Sequence, residues 1–224
     1  MSYDAVLFDN DGVLVTLVER AVLREAAART FADFDLDPHP DDVEALTVGV
    51  APDTLRSLAE RYGVDRTAFW AARDRRSSEA QVAEVRAGRK RLYDDFDAVR
   101  SVAGDDTPMG IVSSNQQATV DFLLDHHDVN HLFETAYGRE PTPESLELKK
   151  PNPHYLRRAL ADLDADPEAT LFVGDSESDV VAADRAGLDS AFVRRPHRAD
   201  AVLDADPTHE LDGLDELPDL VDGG

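Results

Sequence analysis

Two aspartates, Asp9 and Asp11, stand two residues apart between apolar runs in Val6-Leu7-Phe8-Asp9-Asn10-Asp11-Gly12-Val13-Leu14. A short apolar run bounded by a turn signal is the pattern of a buried parallel strand. Asp9 then falls where the strand ends and Asp11 in the turn, and Gly12 supplies the backbone freedom that the turn needs. Ligands of open α/β sheets bind at the carboxyl ends of strands, so two carboxylates lie where chemistry is done. Taken alone, Asp-x-Asp-Gly is an acidic turn. Three further stretches change that reading: Ser113-Ser114-Asn115 after Met109-Gly110-Ile111-Val112, Lys149-Lys150-Pro151, and Gly174-Asp175 through Asp179 after Leu171-Phe172-Val173.

The elements that must position these residues alternate in type. Residues 3 to 8 form the first strand. Val18, Ala21, Val22, Ala28 and Phe31 recur at helical spacing, and Asp37-Pro38-His39-Pro40 breaks that helix. Pro52 starts a second helix that Gly63 ends, and Asp65 caps a third that runs to about residue 86. From Asp94 strands return: 109–112, 133–137, 171–173 and a last one at 190–193. Helices lie between them, with Asn115 as the N-cap of one and Asn152 of another, and a terminal helix spans 211 to 220. Strands alternating with helices imply a three-layer α/β/α, Rossmann-like parallel sheet. The expected core is 1–14 with 94–224, carrying an α-helical insertion at 15–93; the Asp-rich stretch 199–208 reads as a solvated loop.

Composition narrows the setting. The 224 residues suffice for one core plus an insertion. With no cysteine, disulfides and thiolate metal sites are excluded. The chain carries 33 Asp against 14 Glu, 20 Arg against 3 Lys, and a net charge of −24. Such an Asp-rich, Lys-poor surface resembles proteins of salt-loving archaea; it repels itself at low salt and is screened at high salt. Nucleic acid is not an expected partner, because phosphate backbones need a basic face. With no charged leader, long apolar segment or lipidation signal visible, the expectation is a cytoplasmic protein with no membrane partner. Nothing in the sequence fixes an oligomeric state.

The four stretches, in this order, resemble the motifs of the haloacid dehalogenase-like (HAD) hydrolase superfamily, from residue 3 to about 195. That resemblance implies phosphoryl transfer on a small-molecule phosphomonoester, with Mg²⁺ as cofactor. Asp9 would be the nucleophile that forms an aspartyl-phosphate, and Asp11 the acid and base toward the leaving alkoxide and the attacking water. Asp9, Asp175 and the backbone carbonyl of Asp11 would hold the Mg²⁺. Ser113, or its neighbour Ser114, would bind a phosphoryl oxygen. Lys150, preferred over Lys149 because it directly precedes Pro151, would neutralise Asp9 and the phosphate. Asp179 would bind the metal through water, orient Lys150 or cap its helix. Aspartate at position 11 points to the phosphatases and phosphomutases rather than the dehalogenases. Pro52 stands where mutases resembling β-phosphoglucomutase place a phosphate-binding arginine, so hydrolysis is preferred to a mutase; a catalytically silent binding module on the same fold is the third reading.

The insertion matches the family's helical cap in position and length. It carries Arg73, Arg75, Arg76, Arg86, Arg89, Lys90 and Arg91 against Asp74, Glu79 and Glu84. Two readings stand: a collar that attracts an anionic substrate, and a helix face paired with acidic neighbours, the second being preferred. Val15-Thr16-Leu17 departs from the Asp-Ser that relatives often carry after Leu14. His126, His127 and His131 flank a helix end on its polar side and are read as solvated rather than as metal ligands.

Overall fold

The computed structural model describes residues 2–104 and 107–223. In chain order β1 (Ala5–Phe8) leads into four helices, α1 (Arg20–Ala32), α2 (Pro40–Thr47), α3 (Pro52–Tyr62) and α4 (Arg66–Arg86). Then follow α5 (Asp97–Gly104), β2 (Met109–Gln116), α6 (Gln117–His126), β3 (Thr135–Arg139), α7 (Ser145–Leu148) and α8 (His154–Leu163). The chain continues with β4 (Thr170–Gly174), α9 (Glu177–Ala186), β5 (Asp189–Val193), β6 (His209–Leu211) and α10 (Leu217–Asp222).

The six strands form one parallel sheet in the order β3-β2-β1-β4-β5-β6. All four residues of β1 are buried, because parallel strands are covered on both faces. Val6 and Phe8 pack with Val99 of α5, Val120 of α6 and Leu217 of α10, whereas Leu7 packs with Leu156 of α8 and Ala182 of α9. That alternation is the two-residue period of a strand, and it makes the three layers. Phe8 is level with Ile111 on one side and Val173 on the other. Asp9 therefore leaves the sheet between the ends of β2 and β4.

The helical insertion has its own core, with Phe31, Leu46, Leu55, Phe69 and Trp70 buried together. Pro52 opens α3, where its missing N–H costs nothing, and Gly63 closes it in the left-handed conformation. The Asp65 side chain accepts the Ala68 N–H at 2.8 Å to start α4. At the root of the insertion the two connecting segments run antiparallel: Thr16 N–H donates to Arg91 O at 2.8 Å and Tyr93 N–H to Leu14 O at 3.0 Å.

Several elements depart from expectation. Pro40, read as a breaker, is the first residue of α2, and His39 caps it. β1 begins at Ala5, since the Tyr3 N–H turns away to Val221 O. The strand at 190–193 is not the last: Val193 pairs with Leu211 of β6, so the terminal helical run begins at Leu214 instead of Leu211. α5 covers the sheet in a stretch where no helix was expected.

Candidate active site

The turn after β1 is built around one carbonyl. Asn10 O accepts the N–H groups of Leu14 at 2.9 Å and Val15 at 3.0 Å, and Gly12 N–H returns to Val15 O at 2.8 Å. This closure needs φ +87° at Gly12, which glycine adopts without strain. The turn holds Asp9 and Asp11 at the carboxyl edge of the sheet.

Lys150 Nζ lies 2.8 Å from Asp9 Oδ1 and 2.7 Å from Asp179 Oδ1, and all three side chains are buried. The other Asp179 oxygen accepts the backbone N–H groups of Asp175 at 3.2 Å and Ser176 at 3.0 Å, and the Ser176 hydroxyl at 2.6 Å. Asp179 thus anchors Lys150 and caps α9 at once. Gly174 permits this approach: a Cβ there would lie 2.3 Å from Asp179 Cβ.

Charge is concentrated at this point. Burial pushes the Asp9 carboxyl well above the usual range, Lys150 pulls it back, and the Asp179 and Asp175 carboxylates push it up again. Burial would lower the Lys150 pKa, but the Asp179 and Asp9 carboxylates outweigh it and raise it. Ligand oxygens of Asp9, Asp175 and Asp179 lie within 4.8 Å of one another. Among the described residues, Asp9 Oδ2, Asp175 Oδ1 and the Asp11 carbonyl oxygen accept no hydrogen bond. A set of hard oxygens converging on a repulsive point suits a small divalent cation. The remaining Asp175 oxygen is 2.6 Å from His197 Nε2 and 3.4 Å from Arg198 Nε. No histidine belongs to a metal-binding group among the described residues; His126 and His127 pack edge to face instead.

Asp11 has a cation of its own. Its carboxylate accepts from Lys90 Nζ, from Asn115 Nδ2 at 2.8 Å and from Asn10 Nδ2 at 3.3 Å. Burial raises the Asp11 carboxyl, yet the Lys90 ammonium and these hydrogen bonds outweigh it and hold it below the usual range. Asn115 was expected to cap the helix after β2. Gln116 is the N-cap residue instead, and the Asn115 side chain faces Asp11 and Gln81. Ser113 is buried with its hydroxyl accepting the Asn115 N–H at 3.1 Å, and Ser114 is half-buried; both face the cavity.

A cavity of about 620 Å³ separates this edge from the insertion, with Asp9, Asp11, Ser113, Lys150 and Asp175 on its floor. Trp70, Arg73 and Val50 face it from the insertion, and Arg139 from β3. The basic stretch divides. Arg75 and Arg76 pair with Asp33, Arg89 with Glu84 and Arg91 with Asp94, as acidic neighbours predict. Arg73 and Lys90 turn inward. Lys90 is 1% exposed, so all three lysines of the chain serve the site; their rarity, noticed at positions 149 and 150, was also the signal for Lys90.

The profile of the haloacid dehalogenase-like hydrolases matches residues 6–193. Pyrophosphatase PpaX of Oceanobacillus iheyensis is 24% identical over 201 residues, covering 86% of this chain and 84% of that protein. PpaX of Bacillus cereus (strain ATCC 10987) is 33% identical over 129 residues, 57% of this chain and 58% of that protein. The crystal structure of CbbY from Rhodobacter sphaeroides in complex with phosphate superposes with a TM-score of 0.70 at 22% identity, covering 96% of both chains. A HAD family hydrolase from Deinococcus radiodurans R1 with bound phosphate and sodium superposes at 0.60 and 22% identity, covering 97% and 94%. These structures share the fold, and the profile spans both strands that carry the aspartates. The chain belongs to the haloacid dehalogenase-like hydrolases.

Proposed function

We propose that the chain hydrolyses a small phosphomonoester, with Mg²⁺ as cofactor and Asp9 as nucleophile. The observation that supports it most is the pairing at one cavity floor. Asp9 is buried against Lys150, and Asp11 stands beside it with a separate cation, Lys90. Two carboxylates so close with different partners suit two tasks, one nucleophilic and one proton-transferring.

Asp9 attacks phosphorus and forms an aspartyl-phosphate while the ester oxygen leaves with a proton from Asp11. Water then attacks the same phosphorus, gives its proton to Asp11 and frees Asp9. Lys90 and Asn115 favour ionised Asp11, the form that the second step needs; a phosphomonoester, with a second pKa of about 6, can bring the proton for the first. Ser113 or Ser114 holds a phosphoryl oxygen, and Lys150 offsets the charge on Asp9. Asp9, Asp175 and the Asp11 carbonyl would hold Mg²⁺, which would neutralise charge between carboxylate and phosphate. Asp179 fixes Lys150 and the Asp175 backbone. The helical insertion acts as the cap that excludes water.

The test is phosphate release from a panel of phosphomonoesters and inorganic pyrophosphate in molar KCl, with and without Mg²⁺, alongside Asp9→Asn. Mg²⁺-dependent release that Asp9→Asn abolishes is the expected result. Folded protein inactive on every compound would overturn the proposal. Release that rises with KCl would support the salt-adapted reading of the acidic surface. Among the described residues no helix is long and apolar enough to cross a membrane.

A further inference from the structure

Across the cavity from Asp9, three cations crowd around one carboxylate. Arg139 donates to Asp74 through both terminal nitrogens, at 2.9 and 3.0 Å, and Arg73 donates to the same carboxylate at 3.1 Å. Gln116 adds a fourth donor at 3.2 Å, so the Asp74 oxygens are saturated. Both guanidiniums lie over the Trp70 ring, 5.1 and 5.0 Å from its centre. Lys149 completes the group; its one hydrogen bond among the described residues goes to Val50 O at 2.8 Å. Arg73, Arg139 and Lys149 all line the cavity.

The charges do not balance. Among the described residues Asp74 is the one carboxylate ion-paired with any of the three. Two positive charges are left over in a chain of net charge −24, which has carboxylates to spare. Elsewhere the chain matches a buried arginine fully: Arg195 grips Asp95 through two nitrogens at 2.6 and 3.1 Å. Desolvated charge without a partner is expensive, and a fold keeps it where a ligand supplies the counter-charge. Burial, with the Arg139 and Arg73 charges behind it, pushes the Lys149 pKa down to about 8, which marks the repulsion that an anion would relieve.

Geometry separates this cluster from the reacting centre. Lys149 and Lys150 are consecutive, yet Lys150 reaches Asp9 and Lys149 reaches the insertion. A sphere of the cavity's volume is about 11 Å across, room for a phosphorylated carbon chain of a few atoms. We infer that Arg73, Arg139 and Lys149 seat a second anionic group of the substrate, a carboxylate or a phosphate at the end of the molecule remote from Asp9. This rests on the hydrolase reading above.

Calorimetry on Asp9→Asn protein, in which esters stay intact, tests the inference directly. The probes are 3-phosphoglycerate against glycerol 3-phosphate, and fructose 1,6-bisphosphate against fructose 6-phosphate. In at least one pair the two-anion member should bind about tenfold tighter or more, and the pair that responds tells carboxylate from phosphate. Adding Lys149→Met should collapse that ratio to under about threefold, and Lys149→Arg should restore most of it. Equal affinities in both pairs, or a ratio that survives Lys149→Met, would overturn the inference. The two proposals fail separately. Wild-type release from esters without any two-anion preference leaves the hydrolase reading standing and removes the second seat. A binding preference with no release from any ester does the reverse.

Discussion

Replacing Gly12 by alanine should damage catalysis far more than stability, and the structure gives both sizes. A Cβ at Gly12 would lie 2.4 Å from Asp175 Oδ2 and 3.1 Å from His197 Nε2, where ordinary contact starts at 3.4 Å. The Asp175 carboxylate must therefore retreat by about 1 Å, and a displacement of that size in a reacting constellation costs on the order of 100-fold in rate. The φ of +87° adds backbone strain of about 1–2 kcal/mol. Gly63 separates the two effects: its φ is +64°, yet nothing lies within 4 Å of a Cβ there. Gly63→Ala should lower Tm by roughly 2–8 °C, at about 2–4 °C per kcal/mol for a chain this size, with turnover intact. Gly12→Ala should lose at least as much Tm, about two orders of magnitude in kcat/KM, and need more Mg²⁺ for half-saturation. The assay is phosphate release titrated with Mg²⁺ beside thermal melts of both variants. Gly12→Ala with kcat/KM and Mg²⁺ dependence within threefold of wild type would refute the placement of Asp175 argued above.

Three other expectations concern charge. Lys149 has a folded pKa of about 8 against an ordinary 10.5, so folding favours its neutral form; the penalty is full below pH 8 and fades as pH rises toward 10.5. At 1.36 kcal/mol per unit the gross cost is about 3 kcal/mol, which partial exposure and the lost Val50 bond reduce to a net of about 1 kcal/mol. Lys149→Met should then be more stable than wild type in urea melts at pH 7 but not at pH 10, and a less stable variant at pH 7 would contradict the repulsion. Arg75→Ser with Arg76→Ser removes surface pairs to Asp33 and should cost under about 1 kcal/mol by urea melt with turnover within twofold, since neither residue faces the cavity. Mg²⁺ at ten times its Kd should stabilise the chain by about 1.4 kcal/mol, a Tm rise of roughly 3–6 °C, and Asp9→Asn should abolish that shift.

What the sequence could disclose depended on how local each cause was. The apolar runs at 5–8, 109–112 and 170–174 announce buried strands by composition alone, and the strand ends carry Asp9, Ser113 and Asp175 with them. Gly63 and Asp65 act on their own helices, so their roles could be read in place. Asn115 shows the limit. A capping residue and a ligand of Asp11 look alike in sequence, and only the approach of Asp11 across 104 positions decides between them. Asp74 and Arg139 meet across 65 positions, and no periodicity reports such a pair. β6 is three residues in an acidic stretch, held by the edge of β5 rather than by its own pattern.

The strand order also governs how the chain reaches this state. β1 lies at the centre of the sheet, yet its neighbours begin at Met109 and Thr170. During synthesis an apolar strand buried on both faces in the finished molecule must wait for about a hundred residues before one edge is covered, and for most of the chain before the second is. Non-local parallel pairing of this kind is slow and leaves strand edges open to other chains. The same delay means that Asp9 meets Asp175 only when β4 docks, so a chain interrupted before residue 170 would carry the nucleophile and no means of using it.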